Sequence, residues 1–495
     1  MIFSLFLADE KATERFGEDF ALALKKGDLV TLRGDLGAGK TSLSRSIIRT
    51  LADDDMMEVP SPTFTLVQVY DLPRFSLNHA DLYRINEPEE IDELGFAEAL
   101  KSGVLLVEWP EKAEGALQNA NFSVFLEHQA NGRQVTVEAE GQAAARLKRS
   151  LQIRDFLKNN GRANVKRRYF TGDASARSYE LIYGKHSHEV LMNAPEMEMP
   201  EKTGQSYAEI AHLATSISQF VGIDRLILEN GFVAPKIAAQ DLQNGFLITD
   251  DLGRDGLLDK NRKPIEHRYI ESGRLLSSFH QKDWPEHHQY KDLTLDIPHY
   301  DRGVLQAEIS LLLDWYLPYV GQAPADDAIK EAFFKVWESF FKIFEQSESS
   351  LVMRDYHSPN IIWRENEQGL AKLGLIDFQD GQIGPTAYDV VSLAQDARVA
   401  ISKSLEKNII EAYCQARRKD ARPFDEEQFK LVYAIAGAQR ISKILGIFVR
   451  LDQRDGKPGY LKYLPHCRDY LKRNLEHPAL SSLRQFYLAA KLIEE

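Results

Sequence analysis

The run Gly-Asp-Leu-Gly-Ala-Gly-Lys-Thr at residues 34–41 has the residue types and spacing of a phosphate-binding P-loop. Its glycines let successive backbone N–H groups curl around phosphate oxygens. Lys40 is expected to reach the β- and γ-phosphates of the nucleotide, and the Thr41 hydroxyl is expected to bind Mg²⁺. The residues predicted to hold the nucleotide are Gly34, Asp35, Leu36, Gly37, Ala38, Gly39, Lys40, Thr41 and Ser42.

The segments around this loop fit the motif. Residues 28–32 predict a short apolar strand and residues 41–51 predict a helix, whose N-terminus would face the anion. Further along, period-two alternation on both sides of Asn131-Gly132 predicts a β-hairpin. Helical spacing follows over residues 143–157, so we place a domain boundary near residue 141.

Two carboxylates, Asp81 and Glu108, each follow an apolar segment that predicts a strand. Because ligands in an open α/β sheet bind beyond the carboxyl ends of the strands, both acids are expected to face Mg²⁺ at Thr41. A solvated loop acid is the alternative for either residue. In the polar loop 61–65, the Thr63 hydroxyl is a candidate sensor of the γ-phosphate, although a plain turn explains this loop equally well.

Composition limits the classes of protein that this chain can be. Its 495 residues predict two to four domains. The net charge of −13 argues against direct binding of nucleic acid through a generally basic surface, but not against acting on nucleic acid through a partner. Cys414 and Cys467 fit no metal spacing, which indicates a reduced, cytoplasmic protein. The apolar start at residues 1–7 predicts a strand, and we expect no membrane span.

Four motifs in order carry a close resemblance over residues 1–141. They are Gly-Asp-Leu-Gly-Ala-Gly-Lys-Thr (34–41), Ser-Pro-Thr-Phe-Thr-Leu (61–66), His-Ala-Asp-Leu-Tyr-Arg (79–84) and Glu-Trp-Pro-Glu-Lys (108–112). This part of the chain resembles the small bacterial ATPases of threonylcarbamoyladenosine tRNA modification, the TsaE family. The resemblance implies an α/β P-loop domain with a central, mainly parallel sheet.

The same resemblance implies an ATPase that joins two partner proteins, of the TsaB and TsaD types, and resets or activates the threonylcarbamoyl transferase of tRNA adenosine 37. Contact with tRNA would be indirect. The implied roles are phosphate and Mg²⁺ binding for Lys40 and Thr41, Mg²⁺ binding for Glu108, and nucleotide sensing or water positioning for Thr63 and Asp81. Weak intrinsic hydrolysis is expected, with Arg84 as a candidate arginine finger.

A second set of residues beyond position 142 also predicts ATP chemistry. Asp355 and Asn360 are five residues apart, which is the spacing of the catalytic loop in protein-kinase-like enzymes. In that loop the Asp accepts the proton of the attacking hydroxyl and the Asn binds a metal ion. Asp377 ends an apolar strand about twenty residues later and fits the metal-binding Asp of the Asp-Phe-Gly element. Asp389 is expected to brace the catalytic loop.

The nucleotide side of this second site is predicted from two segments. Residues 172–179 lie between two strand-like segments and would cover the phosphates, although an ordinary hairpin turn would have the same sequence pattern. Residues 246–253 are a candidate hinge for adenine. The residues predicted to hold the second nucleotide are Gly172, Ser175, Arg177 and Asp251.

Residues 142–495 resemble the aminoglycoside-phosphotransferase and choline-kinase superfamily, a two-lobed kinase-like fold, with lobes at about 142–254 and 255–495. Four stretches make the resemblance narrower: 172–175, 190–195, 354–360 and 444–461. They are similar to the anomeric kinases of N-acetylmuramate and N-acetylglucosamine, which implies transfer of the γ-phosphate to the C1 hydroxyl of an amino sugar. A kinase of another small metabolite (aminoglycoside, choline or homoserine) and a catalytically dead scaffold remain the alternatives. His357 either contacts substrate or braces the loop.

One departure from the kinase pattern bears on activity. Met192 or Asn193 stands where such kinases have a phosphate-binding lysine. The base and both metal ligands are present, so we expect phosphate transfer to survive. Arg177 or Lys185 is the expected source of the missing charge.

Overall fold

The computed structural model describes residues 1–85, 88–113, 117, 119–170, 177–184, 188–196, 206–420 and 422–494. The chain forms two compact units. The first comprises Met1–Pro195 and Ala238–Asp250, and the second comprises Glu196–Ile237 and Asp251–Glu495.

The first unit contains two sheets and the helices that cover them. Its strands are β1 (Ile2–Leu7), β2 (Leu29–Arg33), β3 (Val67–Asp71), β4 (Ser76–Asp81), β5 (Gly103–Glu108), β6 (Phe122–Gln129), β7 (Gly132–Ala139), β8 (Lys166–Phe170), β9 (Ser178–Tyr183), β10 (His188–Asn193), β11 (Ile237–Asp241) and β12 (Phe246–Asp250). Its helices are α1 (Glu10–Ala23), α2 (Lys40–Ala52), α3 (Phe96–Ser102) and α4 (Gly141–Asn159).

The larger sheet has the strand order β1-β7-β6-β2-β5-β4-β3. Strands β6, β2, β5 and β4 pair in parallel, whereas β1, β7 and β3 add antiparallel pairs at the two sides. The predicted α/β P-loop sheet is therefore confirmed, with parallel pairing confined to its centre. Because β2, β5 and β4 end at the same edge, their C-terminal residues come together there.

The smaller sheet is antiparallel, with the strand order β11-β12-β10-β9-β8. Helix α4 packs against both sheets of this unit. Ala144 and Leu147 in its first half belong to the apolar core beneath the large sheet, whereas Phe156 and Leu157 in its second half pack with Phe246 of the small sheet. One continuous helix therefore contributes to both cores.

The second unit is mainly helical, with short strand pairs. Its helices are α5 (Tyr207–Ile210), α6 (Ile217–Glu229), α7 (Glu266–His280), α8 (Arg302–Leu311), α9 (Leu317–Tyr319), α10 (Asp327–Glu345), α11 (Ala387–Ala394), α12 (Lys403–Arg418), α13 (Glu426–Gln453), α14 (Leu464–Leu475) and α15 (Ser481–Ala489). Its strands are β13 (His287–Gln289), β14 (Thr294–Asp296), β15 (Ser349–Val352), β16 (Ile361–Trp363), β17 (Leu373–Leu375) and β18 (Gln382–Pro385).

Helix α13 has the length and composition of a membrane-spanning helix, which the sequence reading did not anticipate. Of its most apolar window, 89% is buried inside the protein, as is typical of the core helix of a folded domain. Helices α8, α11 and α14 pack around it, and Arg440 on this helix lies 3.6 Å from the Asp355 carboxylate.

Candidate functional sites

The P-loop joins a buried strand to a helix, as the motif predicts. The loop that connects β2 to α2 consists of Gly34, Asp35, Leu36, Gly37, Ala38 and Gly39. The first turn of α2 contains Lys40, Thr41 and Ser42. Gly34 has a φ of 140°, and a Cβ atom there would lie 2.3 Å from the Leu126 carbonyl oxygen. Only glycine fits this position, because a side chain would push the loop away from strand β6.

Lys40 turns back over its own loop. Its Nζ donates hydrogen bonds to the carbonyl oxygens of Gly34 at 2.7 Å and Asp35 at 3.0 Å. The same ammonium lies 3.7 Å from the centre of the Trp109 ring, which is a cation–π distance. Burial lowers the pKa of Lys40, although the nearby Glu108 carboxylate opposes that shift. The cation that the motif assigns to phosphate is thus held at the centre of the loop.

The structure brings together the two predicted Mg²⁺ ligands of this site. Thr41 Oγ1 donates to Glu108 Oε2 at 2.9 Å, and Ser44 Oγ donates to Glu108 Oε1 at the same distance. Asp81 lies opposite Glu108 in the register of the parallel pair β4–β5. Hydroxyl and carboxylate oxygens at one sheet edge form the hard donor set that fits Mg²⁺.

Asp81 also binds the loop that we expected to sense the γ-phosphate. Its Oδ2 accepts hydrogen bonds from Thr63 Oγ1 at 2.6 Å and Ser61 Oγ at 3.1 Å. A movement of the Asp81 carboxylate would therefore act directly on the Thr63 hydroxyl. Arg84 lies with its guanidinium carbon 4.0 Å from the centre of the Phe64 ring in the same loop, and its role as an arginine finger stays a prediction.

The second site is built on the segment between β15 and β16. Asn360 Nδ2 donates to the backbone oxygen of Asp355 at 2.9 Å and to Asp377 Oδ2 at 3.2 Å. The predicted base and both predicted metal ligands are therefore neighbours. Arg354 and Asp377 have left-handed backbone conformations, with φ of 65° and 61°. Left-handed non-glycine residues are uncommon and cluster at active sites, ligand clamps and switch regions.

Asp389 braces this loop, as expected. Its two carboxylate oxygens accept hydrogen bonds from the backbone N–H groups of Met353 at 2.7 Å and Arg354 at 2.9 Å. The Arg354 side chain extends to the buried Glu308, which lies 2.5 Å away and also binds Lys443 at 2.7 Å. The position of the catalytic loop thus depends on ion pairs within the core of the second unit.

Asp355 is ionised at neutral pH. Burial would raise the pKa of its carboxyl, but His357, which is protonated in the acid range where Asp355 titrates, and Lys443 lower it to about 2. Burial also lowers the pKa of His357 to about 4, so this imidazole is uncharged at neutral pH. His357 is 7% exposed, and its Nε2 lies 3.4 Å from Asn360 Nδ2. These contacts favour the bracing role for His357 over substrate contact.

The nucleotide side of the second site is described only in part. Gly172, Ser175 and Lys185 lie outside the described residues. Arg177 directly precedes β9, and Asp251 accepts hydrogen bonds from the Gly253 backbone N–H at 2.9 Å and from Arg254 at 2.5 Å. These residues stay predicted nucleotide contacts.

Asn193, one of the two residues considered for the missing lysine, faces helix α4. Its Oδ1 accepts a hydrogen bond from Arg149 at 2.9 Å, and its Nδ2 donates to Ser178 at 3.0 Å. Burial lowers the pKa of Arg149, although Asp241 opposes that shift. The side chain of Asn193 is thus engaged on the α4 side of the small sheet.

Two further residues of the first site, Ser44 and His79, were not predicted from the sequence. His79 Nε2 lies 2.9 Å from Glu108 Oε1. Because side chains two apart on a strand share a face, the spacing between His79 and Asp81 was a usable signal. Ser44, four residues after Lys40, could likewise have been placed one helical turn further along the same face.

Comparisons with known proteins match the N-terminal and the C-terminal part of the chain to different families. The family model for "Threonylcarbamoyl adenosine biosynthesis protein TsaE" matches residues 7–135, and that for the "Phosphotransferase enzyme family" matches residues 166–424. The tRNA threonylcarbamoyladenosine biosynthesis protein TsaE of Rickettsia typhi is 50% identical over 105 residues, which are 21% of this chain and 72% of that protein.

The N-acetylmuramate/N-acetylglucosamine kinase of Caulobacter vibrioides is 30% identical over 348 residues, which are 67% of this chain and 94% of that protein. The crystal structure of the choline kinase LicA from Streptococcus pneumoniae aligns with 65% of this chain and 99% of its own, at 13% identity and a TM-score of 0.44. Both resemblances drawn from the sequence motifs are confirmed. The chain belongs to the TsaE family in its N-terminal part, where it is an ATPase, and to the phosphotransferase enzyme family in its C-terminal part.

Proposed function

We propose that this chain combines an ATPase that supports threonylcarbamoyl transfer to adenosine 37 of tRNA with a kinase of the C1 hydroxyl of an amino sugar. The ATPase proposal rests above all on the contact between Thr41 and Glu108 beside Lys40. The kinase proposal rests on the grouping of Asp355, Asn360 and Asp377. We place the functional boundary between the two parts near residue 141, inside the start of helix α4.

In the ATPase, Lys40 leaves the loop carbonyls and Trp109 to meet the β- and γ-phosphates, and the loop N–H groups hold the phosphate oxygens. Thr41 and Glu108 would hold Mg²⁺, which when bound neutralises charge developing on the phosphates. Thr63 and Asp81, which are hydrogen bonded, would sense the γ-phosphate and orient water. Breaking the hydrogen bond between Thr63 and Asp81 is the simplest way for a change of nucleotide to alter the loop at residues 61–65.

The partners in this proposal are transferase subunits of the TsaB and TsaD types, with tRNA contacted only through them and with a cytoplasmic location. Exposed apolar side chains surround the nucleotide loop: Leu36 is 77% exposed and Phe64 is 80% exposed. Because both lie on loops that bind or sense nucleotide, a partner that covers them would read the nucleotide state. Co-purification of TsaB- and TsaD-type subunits with the full chain tests this part. Loss of capture in Leu36→Asp with Phe64→Asp supports it, and unchanged capture contradicts it.

In the kinase, Asp355 accepts the proton of the sugar C1 hydroxyl. The C1 oxygen bonds to the γ-phosphorus as the bond from that phosphorus to the bridging oxygen breaks, leaving ADP. Asn360 and Asp377 would hold the Mg²⁺ that accompanies the nucleotide. An ionised Asp355 fits this role, because only the carboxylate form can accept the proton.

The substrate is proposed from the relative in Caulobacter vibrioides, whose name gives N-acetylmuramate and N-acetylglucosamine. Kinases of other small metabolites and a dead scaffold are the competing functions. Phosphate transfer that disappears in Asp355→Asn separates an enzyme from a scaffold. We further propose that Arg177 or Lys185 supplies the charge of the missing lysine. Unchanged KM for ATP and unchanged kcat in both alanine variants would contradict that proposal.

A further inference from the structure

His79 lies on β4 directly behind the predicted Mg²⁺ ligand of the ATPase site. It is fully buried, and its Nε2 lies 2.9 Å from Glu108 Oε1, the oxygen that also accepts a hydrogen bond from Ser44. The other oxygen, Oε2, accepts the hydrogen bond from Thr41. Glu108 is itself only 1% exposed. Three side chains therefore fix one buried carboxylate, and two of them act on the oxygen that faces away from Thr41.

The two ring nitrogens of His79 have different surroundings. Nδ1 is buried and has no hydrogen-bond partner among the residues that the structure describes. Nε2 lies at hydrogen-bond distance from Glu108 Oε1. Because an ionised carboxylate only accepts hydrogen bonds, Nε2 is the nitrogen that donates to Glu108.

We propose that His79 is a positioning residue of the ATPase, a hydrogen-bond donor that fixes Glu108 so that Oε2 stays beside Thr41, where Mg²⁺ would bind. The proposal rests on the proposed ATPase function. Rotation of the carboxylate away from Thr41 would break the hydrogen bonds that His79 and Ser44 make with Oε1. Groups that orient a metal ligand in this way typically change metal affinity 10–100-fold when removed.

Two amide variants separate the donor from the bulk of the side chain. His79→Gln places an N–H group at about the reach of Nε2, so it can still donate to Glu108. His79→Asn carries the same amide one methylene shorter, near the position of Nδ1, and cannot reach Glu108. If His79 acted only by packing, the position of the amide donor would give His79→Gln no advantage over His79→Asn.

The test uses the full chain and a fluorescent ADP analogue, with the affinity measured in EDTA and in excess Mg²⁺. Lys40→Ala, measured in parallel, gives the binding at the second nucleotide site, which is subtracted. In His79→Asn the gain in affinity on adding Mg²⁺ is expected to fall about 10-fold or more, with unchanged affinity in EDTA. In His79→Gln the gain is expected to stay within about threefold of the native value.

Three outcomes would overturn the proposal: an unchanged Mg²⁺ gain in His79→Asn, an equal loss in both variants, or a loss of affinity in EDTA as well. In the Glu108→Gln background, His79→Asn is expected to change nothing further, and an additional loss would show that His79 acts elsewhere. Thermal unfolding verifies that the variants fold. If His79→Asn does not fold, His79→Gln alone still tests the proposal, because a folded His79→Gln that gains no affinity on adding Mg²⁺ would contradict it. If Lys40→Ala leaves nucleotide binding and hydrolysis unchanged, the ATPase function itself fails, and the role of His79 fails with it.

Discussion

Arg167 on strand β8 and Asp19 on helix α1 form a buried ion pair, with Arg167 Nη1 2.6 Å from Asp19 Oδ1. The Arg167 guanidinium also binds Glu180 on β9 at 2.7 Å, and Arg154 on α4 binds Asp19 at 2.9 Å. Burial alone would lower the pKa of Arg167, but Glu180 and Asp19 raise it above its ordinary value. The small sheet of the kinase part and the P-loop part thus share one network of buried charges.

Asp19→Asn is expected to destabilise the first unit by about 3–5 kcal/mol, because it leaves a buried guanidinium short of a carboxylate. Denaturant unfolding of the full chain measures this. Glu98→Gln is the control, because Glu98 and Lys101 form an exposed pair 3.9 Å apart, whose loss should cost less than about 1 kcal/mol. Equal midpoints for Asp19→Asn and the native chain would show that the network does not hold the two parts together.

Removal of residues 1–141 is expected to destabilise the remaining kinase part. The cut uncovers Ala144 and Leu147 of α4, which pack in the core of the P-loop part, and leaves Arg167 without Asp19. A lower melting temperature and a tendency to aggregate should follow. The full chain with Lys40→Ala keeps the junction and should melt like the native chain. A truncated protein that melts at the native temperature would contradict a shared folding unit.

Glu308 gives the second unit a defined dependence on acid. Burial opposes its ionisation, but Lys443 and Arg354 outweigh burial and lower the pKa of Glu308 to about 2. Its folded pKa lies below the ordinary value near 4.5, so its contribution to stability is complete above that value. The contribution should be lost as the pH falls from about 4.5 towards 2.

Glu308→Gln should therefore cost about 3–5 kcal/mol at neutral pH and flatten the fall in stability below pH 4.5. Chemical unfolding at a series of pH values measures both effects. Glu271→Gln, which removes one member of an exposed pair with Arg274, is the control and should leave the profile unchanged. A Glu308→Gln chain with the native profile would contradict the role of this network.

A substitution that inactivates one ATP-using site is expected to leave the activity of the other site intact. Lys40→Ala should lower ATP hydrolysis by about 10²-fold or more, because it removes the cation of the P-loop. Asp355→Asn should lower phosphate transfer to sugar by about 10²–10⁴-fold, because it removes the base. Separate assays of hydrolysis and of sugar phosphorylation check each variant. If either substitution abolishes both activities, the sites are coupled through the chain.

Much of the first site could be predicted because its chemistry is local in sequence. The P-loop, its strand and its helix are contiguous, and glycine at position 34 is required by the backbone. Asp81 and Glu108 could be placed together because parallel strands end at one edge of a sheet. The contact between His79 and Glu108 joins residues 29 apart and depends on the pairing of β4 with β5, which no local pattern states.

The junction between the two parts could not be predicted from local patterns. The helical spacing of residues 143–157 indicated the helix α4, but not that its two halves pack in different cores. Arg167 and Glu18 lie in short charged runs that indicate no partner in the sequence, yet the Arg167 backbone N–H donates to Glu18 Oε1 at 2.7 Å. Glu308 likewise lies 46 residues before Arg354, its partner under the catalytic loop. Long-range ion pairs of this kind depend on the tertiary fold.

The most direct test of the central claim is phosphate transfer from labelled ATP by the full chain carrying Lys40→Ala, which silences the ATPase. The acceptors are N-acetylmuramate, N-acetylglucosamine, an aminoglycoside and choline, with Lys40→Ala plus Asp355→Asn as the control. The account predicts a labelled product with the amino sugars, formed at C1 and absent in the control. No transfer to either amino sugar by a folded chain that binds ATP would contradict it, and transfer to another acceptor alone would replace the proposed substrate.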